Sequence, residues 1–202
     1  MTCKITKLDR GLLLITALLC AYQIAVGVDD FATIPIILYT ITFGVLMVAS
    51  LLILILGFEI LENPLVVIVS TLVPLSLSTG LISQFYPDYI LGFALFSIAG
   101  VLVVSYTLFF APSRWAIGIL ILVYTITGLI IFGLPIYLSV QDVVVGDFAL
   151  VGVGGALIGV GGILLSFLRV GKPILSHDVI LSVLPALLLS TTAAFVAGFA
   201  AM

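Results

Sequence analysis

Apolar residues run through this chain in long, nearly uninterrupted stretches, and the polar positions gather in short breaks between them. A helix needs about 20 largely apolar residues to cross the hydrocarbon of a bilayer. Hydropathy predicts seven such segments, at 11–28, 31–58, 65–83, 89–110, 115–138, 148–168 and 179–199. The apolar positions are continuous rather than alternating, which favours helices over a barrel, and an unpaired strand in lipid would leave its backbone unsatisfied. The expected fold class is all-α: a polytopic integral membrane protein, a seven-transmembrane-helix bundle forming one membrane domain over residues 1–202.

Turn chemistry punctuates the segments. Asn63-Pro64 reads as an N-cap followed by proline at the first helical position, a clean start for the third helix. Pro87-Asp88 and Ala111-Pro112-Ser113 mark two further turns, Trp115 is placed to anchor an interface, and Ser176 is a candidate cap. The second segment exceeds a minimal span, so it should tilt, kink or leave the hydrocarbon.

Small residues recur at helical spacing in the last two segments. Gly152, Gly155, Gly159 and Gly162 form a stripe on the sixth, and Ala186, Ser190, Ala194, Ala197 and Ala201 form one on the seventh. Such stripes let helix backbones approach closely, so these two helices are expected to pack together. A mid-helix proline followed by hydroxyl residues occurs twice, as Pro74 with Ser76, Ser78 and Thr79, and as Pro185 with Ser190 and Thr191. Arg10 precedes the first helix as Arg114 precedes the fifth. Together these hint at a three-plus-one-plus-three plan of parallel repeats, as some transporters use. In plan it resembles the seven-helix sugar-efflux carriers, but the Pro-Gln signature of that family is absent and the orientation is opposite.

Composition agrees with the hydropathy. The chain is 64% hydrophobic and 7% charged, against roughly 25% charged for a soluble domain. Its six basic residues, Lys4, Lys7, Arg10, Arg114, Arg169 and Lys172, all fall on one side when the segments alternate. An excess of Lys and Arg marks the cytoplasmic side, so the N-terminus is expected in the cytoplasm and the C-terminus outside, with the cytoplasmic membrane as the location. Asp29, Asp30, Asp88, Asp142 and Asp147 then make a purely acidic outer face, while Asp9, Glu59, Glu62 and Asp178 lie at the inner rim. No basic tract suggests nucleic acid, and Cys3 and Cys20 imply no disulfide framework. Basic residues before an apolar run, with Ala25-Val26-Gly27 after it, give the first segment some character of a cleavable signal. Its length favours a retained helix.

Few side chains could carry chemistry. Gln23 in the first helix, Ser76, Thr79 and Ser83 in the third, and Ser190, Thr191 and Thr192 in the seventh all belong to helices running inside to outside. Their polar faces are expected in the outer half, where they could line a small cavity opening outward. Pro74 has no N–H, so the Ser70 carbonyl loses its usual helical donor. Glu59 and Glu62, three residues apart, form a candidate proton or cation site, because paired carboxylates at a membrane rim can raise one another's pKa. His177 stands alone, so no metal site is expected, and no cofactor is implied. Lysine is absent from every span, which excludes a retinal Schiff base. Asp29, Asp30 and Ile34-Pro35, with Val144-Val145-Gly146-Asp147, superficially resemble the motifs of prepilin-type membrane aspartyl peptidases. The first glycine of the second motif is missing, and both sites fall on the side opposite to that family's.

The expected function is a small secondary transporter or channel for a small solute or cation. The alternative is a non-catalytic subunit or assembly factor of a larger membrane complex, with an intramembrane enzyme a minor third. Expected partners are the lipid bilayer and either other membrane subunits or further copies of the chain.

Overall fold

Local signals decide where each helix begins and ends. In the computed structural model, which describes residues 5–28, 32–110, 113–169 and 176–202, the seven long helices are α1 (Lys7–Val26), α2 (Thr33–Leu56), α3 (Pro64–Phe85), α4 (Ile90–Phe110), α5 (Ser113–Val140), α6 (Ala149–Arg169) and α7 (His177–Ala200). No strand occurs among the described residues. Seven helical segments are long and apolar enough to cross a membrane.

α1 starts ahead of the hydropathic boundary because Thr6-Lys7-Leu8-Asp9 is a capping box. The Asp9 N–H donates to Thr6 Oγ1 at 3.1 Å, while Asp9 Oδ2 accepts from the Thr6 N–H at 2.9 Å and from its hydroxyl at 2.8 Å. Two donors that the first turn would otherwise orphan are satisfied, which accounts for the burial of Asp9. α2 stops at Leu56, before the expected boundary at 58. Gly57 adopts φ +89°, open to glycine at little cost, and the chain leaves as a 3-10 turn over Phe58–Glu62. α3 begins as Asn63-Pro64 implies, with the Leu65 N–H donating to Asn63 Oδ1 at 2.9 Å.

Six helices close into a ring in which the neighbours run α1, α2, α3, α5, α6, α7 and back to α1. α1–α3 and α5–α7 are thus two triplets joined twice, α3 to α5 and α7 to α1. α4 stands outside the ring against α3 and α5, burying only Gly100, Val104 and Thr107. Lipid tails are as apolar as the helix faces, so close packing rather than expulsion from water holds such a bundle together.

α6 provides much of that packing. A Cβ added at Gly152 would lie 2.6 Å from the Phe132 carbonyl oxygen, and one at Gly155 would lie 2.6 Å from Ile131 Cγ2, so both glycines seat α6 on α5. Gly162 lies against the Tyr124 ring, also of α5. Gly159 has open space around it, so the four-glycine stripe is not one continuous contact. α6 does pack against α7, but through Gly154 against Phe195, Gly161 against Leu187, and Val151 against Gly198. The stripe expected on α7 is turned elsewhere: Ala186, Ser190 and Ala197 are exposed on the outside of the bundle.

Among the described residues the interior holds three apolar clusters. The largest joins Cys20, Tyr39, Phe43, Leu46, Val73, Leu77, Leu81, Ile131, Phe148, Val151, Phe195, Val196 and Phe199, from all six ring helices and the turn before α6. These residues lie in the half of the bundle away from the start of α1, called the acidic half here because exposed Asp88, Asp142 and Asp147 flank it. In the other, basic half, entered by exposed Lys7 and Arg10, the core divides. Leu13, Ile53, Phe58, Leu181 and Leu184 form one cluster under α1, α2 and α7. Leu75, Val104, Leu120 and Val123 form another between α3, α4 and α5.

Candidate functional site

The polar residues singled out by the sequence are carried to several helix interfaces rather than to one space. Gln23 is buried and its Nε2 donates to the Gly27 carbonyl at 2.8 Å, closing the end of its own helix. Ser76 Oγ lies 2.7 Å from Thr42 Oγ1 across the α2–α3 contact, and 2.5 Å from the Leu72 carbonyl. Thr79 Oγ1 lies 2.8 Å from Ser97 Oγ of α4, and donates to the Leu75 carbonyl at 2.6 Å. Ser83 is partly buried and Ser190 is exposed. Thr191 and Thr192 are buried on α7, and the Thr192 hydroxyl sits beside the Cys20 thiol of α1. Helical spacing shows that Ser76 and Thr79 point about 60° apart around the axis, but it does not reveal that α2 and α4 stand on either side to divide them.

Between these interfaces the acidic half is filled with rings. Phe199 is the hub, with its centroid 4.6 Å from that of Tyr39, 5.9 Å from Phe148 and 6.1 Å from Phe43. Most hydroxyls buried in this bundle donate back to their own helix, among them Thr16, Thr42, Ser50, Thr127 and Ser78, each to the carbonyl four residues earlier. That habit satisfies the polar groups without water.

The basic half differs, and α3 records the change. Every residue from Val73 to Leu81 is buried, whereas from Pro64 to Leu72 only Thr71 is. Val66 and Ser70 continue the face of Val73, Leu77 and Leu81 that looks into the central cluster, yet both are partly exposed. Val66 packs against none of the three clusters. The inward face of α3 is therefore fully buried from Val73 to Leu81 and only partly buried at Val66 and Ser70.

Glu59 is exposed at the basic end on the 3-10 turn Phe58–Glu62, held there by the buried Phe58 ring. Because α2 ends at Leu56, the two glutamates lie on a separate 3-10 turn rather than on a continuation of α2; the Glu62 side chain lies outside the described residues. So do Cys3, Lys4, Asp29, Asp30 and Lys172, and the side chains of Arg114, Arg169 and His177. Asp147, in the near-match to the peptidase motif, is exposed at the acidic end. A shallow cleft of about 480 Å³ lies close by, lined by Asp142 to Gly146 and Met202. Among the described residues no three His, Cys, Asp or Glu side chains gather as a metal site would require.

Seven membrane-length apolar helices with no strand among the described residues are consistent with a multi-pass helical membrane protein. Compared with known proteins, the chain matches no family model, no curated protein and no solved structure.

Proposed function

We propose that this protein is a small carrier or channel that passes a small solute or cation across the cytoplasmic membrane, with the N-terminus inside. The observation that carries the reading is the contrast along α3, buried beside aromatic packing from Val73 to Leu81 and, apart from Thr71, only partly buried or exposed before it. A barrier at one end and access from the other is what a carrier needs while it faces one side. Two joined triplets with α4 outside them fit the repeat plan of such proteins. Glu59, exposed at the same open end, and Glu62 beside it in the chain are the proposed entry point for a proton or cation. Purified protein in liposomes would be assayed for pH-driven and ion-driven uptake over a panel of small solutes and monovalent cations. Absence of any flux above empty liposomes refutes the carrier, and unchanged flux in Glu59→Gln with Glu62→Gln refutes the coupling role.

A second reading, a non-catalytic subunit of a larger membrane assembly or of a homo-oligomer, draws on one observation. The small residues Ala186, Ser190, Ala193 and Ala197 of α7 face outward, unused by the bundle, and would accept a neighbouring helix at close range. Purification in mild detergent tests it: a lone monomer with no companion chain counts against it.

A further inference from the structure

Around Pro74 the backbone carbonyls of α3 are supplied with hydroxyl donors. Four hydroxyls lie within hydrogen-bond distance of five of them: Thr71 of Ile68, Ser76 of Leu72 and Val73, Ser78 of Pro74 and Leu75, and Thr79 of Leu75. Val69, Ser70 and Thr71 receive none, and of these three Ser70 is the one set four residues before the proline. Its carbonyl is the one that Pro74 deprives of an N–H, yet no hydroxyl among the described residues replaces that donor, and the Ser70 hydroxyl makes no hydrogen bond to any described residue. An unmatched carbonyl in hydrocarbon costs several kcal/mol, and such backbone persists in membranes only where it is covered by protein or lines a wet space. Ser70 is partly exposed on the face that looks toward the ring centre, immediately past the last buried residue of that face, Val73. Six residues from the helix start, it lies about 9 Å along the axis from Pro64.

We propose that Ser70, beneath the aromatic seal and reached from the basic end past Val66, is a binding site for a small uncharged solute that carries hydrogen-bond donors. The carbonyl supplies an acceptor and the hydroxyl a second polar contact. No charged residue occurs anywhere in α3, nor within α2 or α4 beside it, so an ion at this depth would meet no counter-charge and would bear the full loss of hydration. A neutral donor such as an amide loses little on entry and satisfies the carbonyl. This site deepens the carrier reading and rests on it for its purpose; its existence is tested separately.

The test uses a background with Cys3→Ser and Cys20→Ala, carrying single cysteines at Val66, Ser70, Leu77 or the lipid-facing Leu102. Each is labelled with a membrane-impermeant maleimide in right-side-out and inverted vesicles. Thiols react as thiolates in water, so a lipid-facing cysteine stays unlabelled. Val66→Cys and Ser70→Cys are expected to label at least about tenfold faster than Leu77→Cys and Leu102→Cys, from the basic side alone. Labelling of Ser70→Cys no faster than Leu102→Cys, or from the acidic side, overturns the recess. With Val66→Cys as reporter and Ser70 native, acetamide should slow labelling while dimethylacetamide, which has no donor, should not. Pro74→Ala returns an N–H to the carbonyl and should remove the protection. Equal effects of the two amides overturn the solute class. A labelled, amide-protected recess in a protein without flux would leave the site standing and remove the carrier.

Discussion

Gly155→Ala drives a methyl group into the backbone of α5. The new Cβ would lie 2.6 Å from Ile131 Cγ2, and 2.9 Å from both the Ile131 carbonyl carbon and the Phe132 nitrogen. The isoleucine methyl can rotate aside, but the two backbone atoms cannot, so α6 must back away along its contact with α5. Overpacking of this kind costs about 1–3 kcal/mol, against at most about 1 kcal/mol gained by replacing glycine with alanine inside a helix. A net loss of about 1–2 kcal/mol is expected. Gly159→Ala, one turn along the same stripe, meets no atom within 4 Å and keeps the propensity gain of up to about 1 kcal/mol. The two variants should therefore differ by about 2 kcal/mol, near thirtyfold in the folding equilibrium. Reversible unfolding in mixed micelles with increasing SDS, followed by far-ultraviolet circular dichroism, measures both. Equal loss from the two substitutions would refute the reasoning, since it would mean that the stripe acts as one surface. So would a neutral Gly155→Ala.

Other consequences are as direct. Thr42→Val and Ser76→Ala, combined in a double-mutant cycle, should show a coupling of about 0.6 kcal/mol, the usual worth of a hydroxyl pair between membrane helices; additivity would show that the 2.7 Å approach contributes nothing. Asp9→Ala removes the capping box of α1 and should lower stability by about 1 kcal/mol, measurable in the same SDS titration, while Lys7→Ala, at an exposed position, serves as a near-neutral control. Glu59→Gln should leave stability within about 0.5 kcal/mol of the parent, as for surface changes that touch nothing, so that any effect on uptake reflects transport and not folding. Intact mass measured on protein taken from membranes should include residues 1–27, because α1 closes the ring against both α2 and α7; a mass corresponding to cleavage after Ala25-Val26-Gly27 would contradict this.

Much of the fold was legible because membrane-length apolar runs leave few alternatives, and because Asn63-Pro64 states its own role. Other features depended on chemistry that hydropathy averages away. Thr6 and Asp9 form a capping-box signature three residues apart, readable in the chain but hidden by the charged flank of the first segment. Gly57 ended α2 where the apolar run continued. The helix partners were legible only in part. Spacing correctly groups Gly152 with Gly155, yet it cannot say that they meet α5 while Gly154, between them, meets α7. The candidate polar site suffered most from that gap: Gln23, Ser76, Thr79 and Thr192 are each placed by a face, and the face alone does not name the neighbour. Ser70 left a signal in the proline four residues later. Its significance required knowing which carbonyls the surrounding hydroxyls had already satisfied.

The contact between α1 and α7 orders the birth of this protein in the membrane. Helices leave the ribosome in sequence, so the earliest and the latest of the seven are partners, and the faces of α1 bearing Cys20 and Leu13 wait through the synthesis of every helix between them. Until α7 arrives, Thr16 and Gln23 have already found acceptors within α1 itself, so the waiting helix presents little unsatisfied polarity to lipid. A nascent chain stalled before residue 177 would be an open arc with an unguarded seam, a form that membrane quality control could recognise and that a finished chain no longer displays.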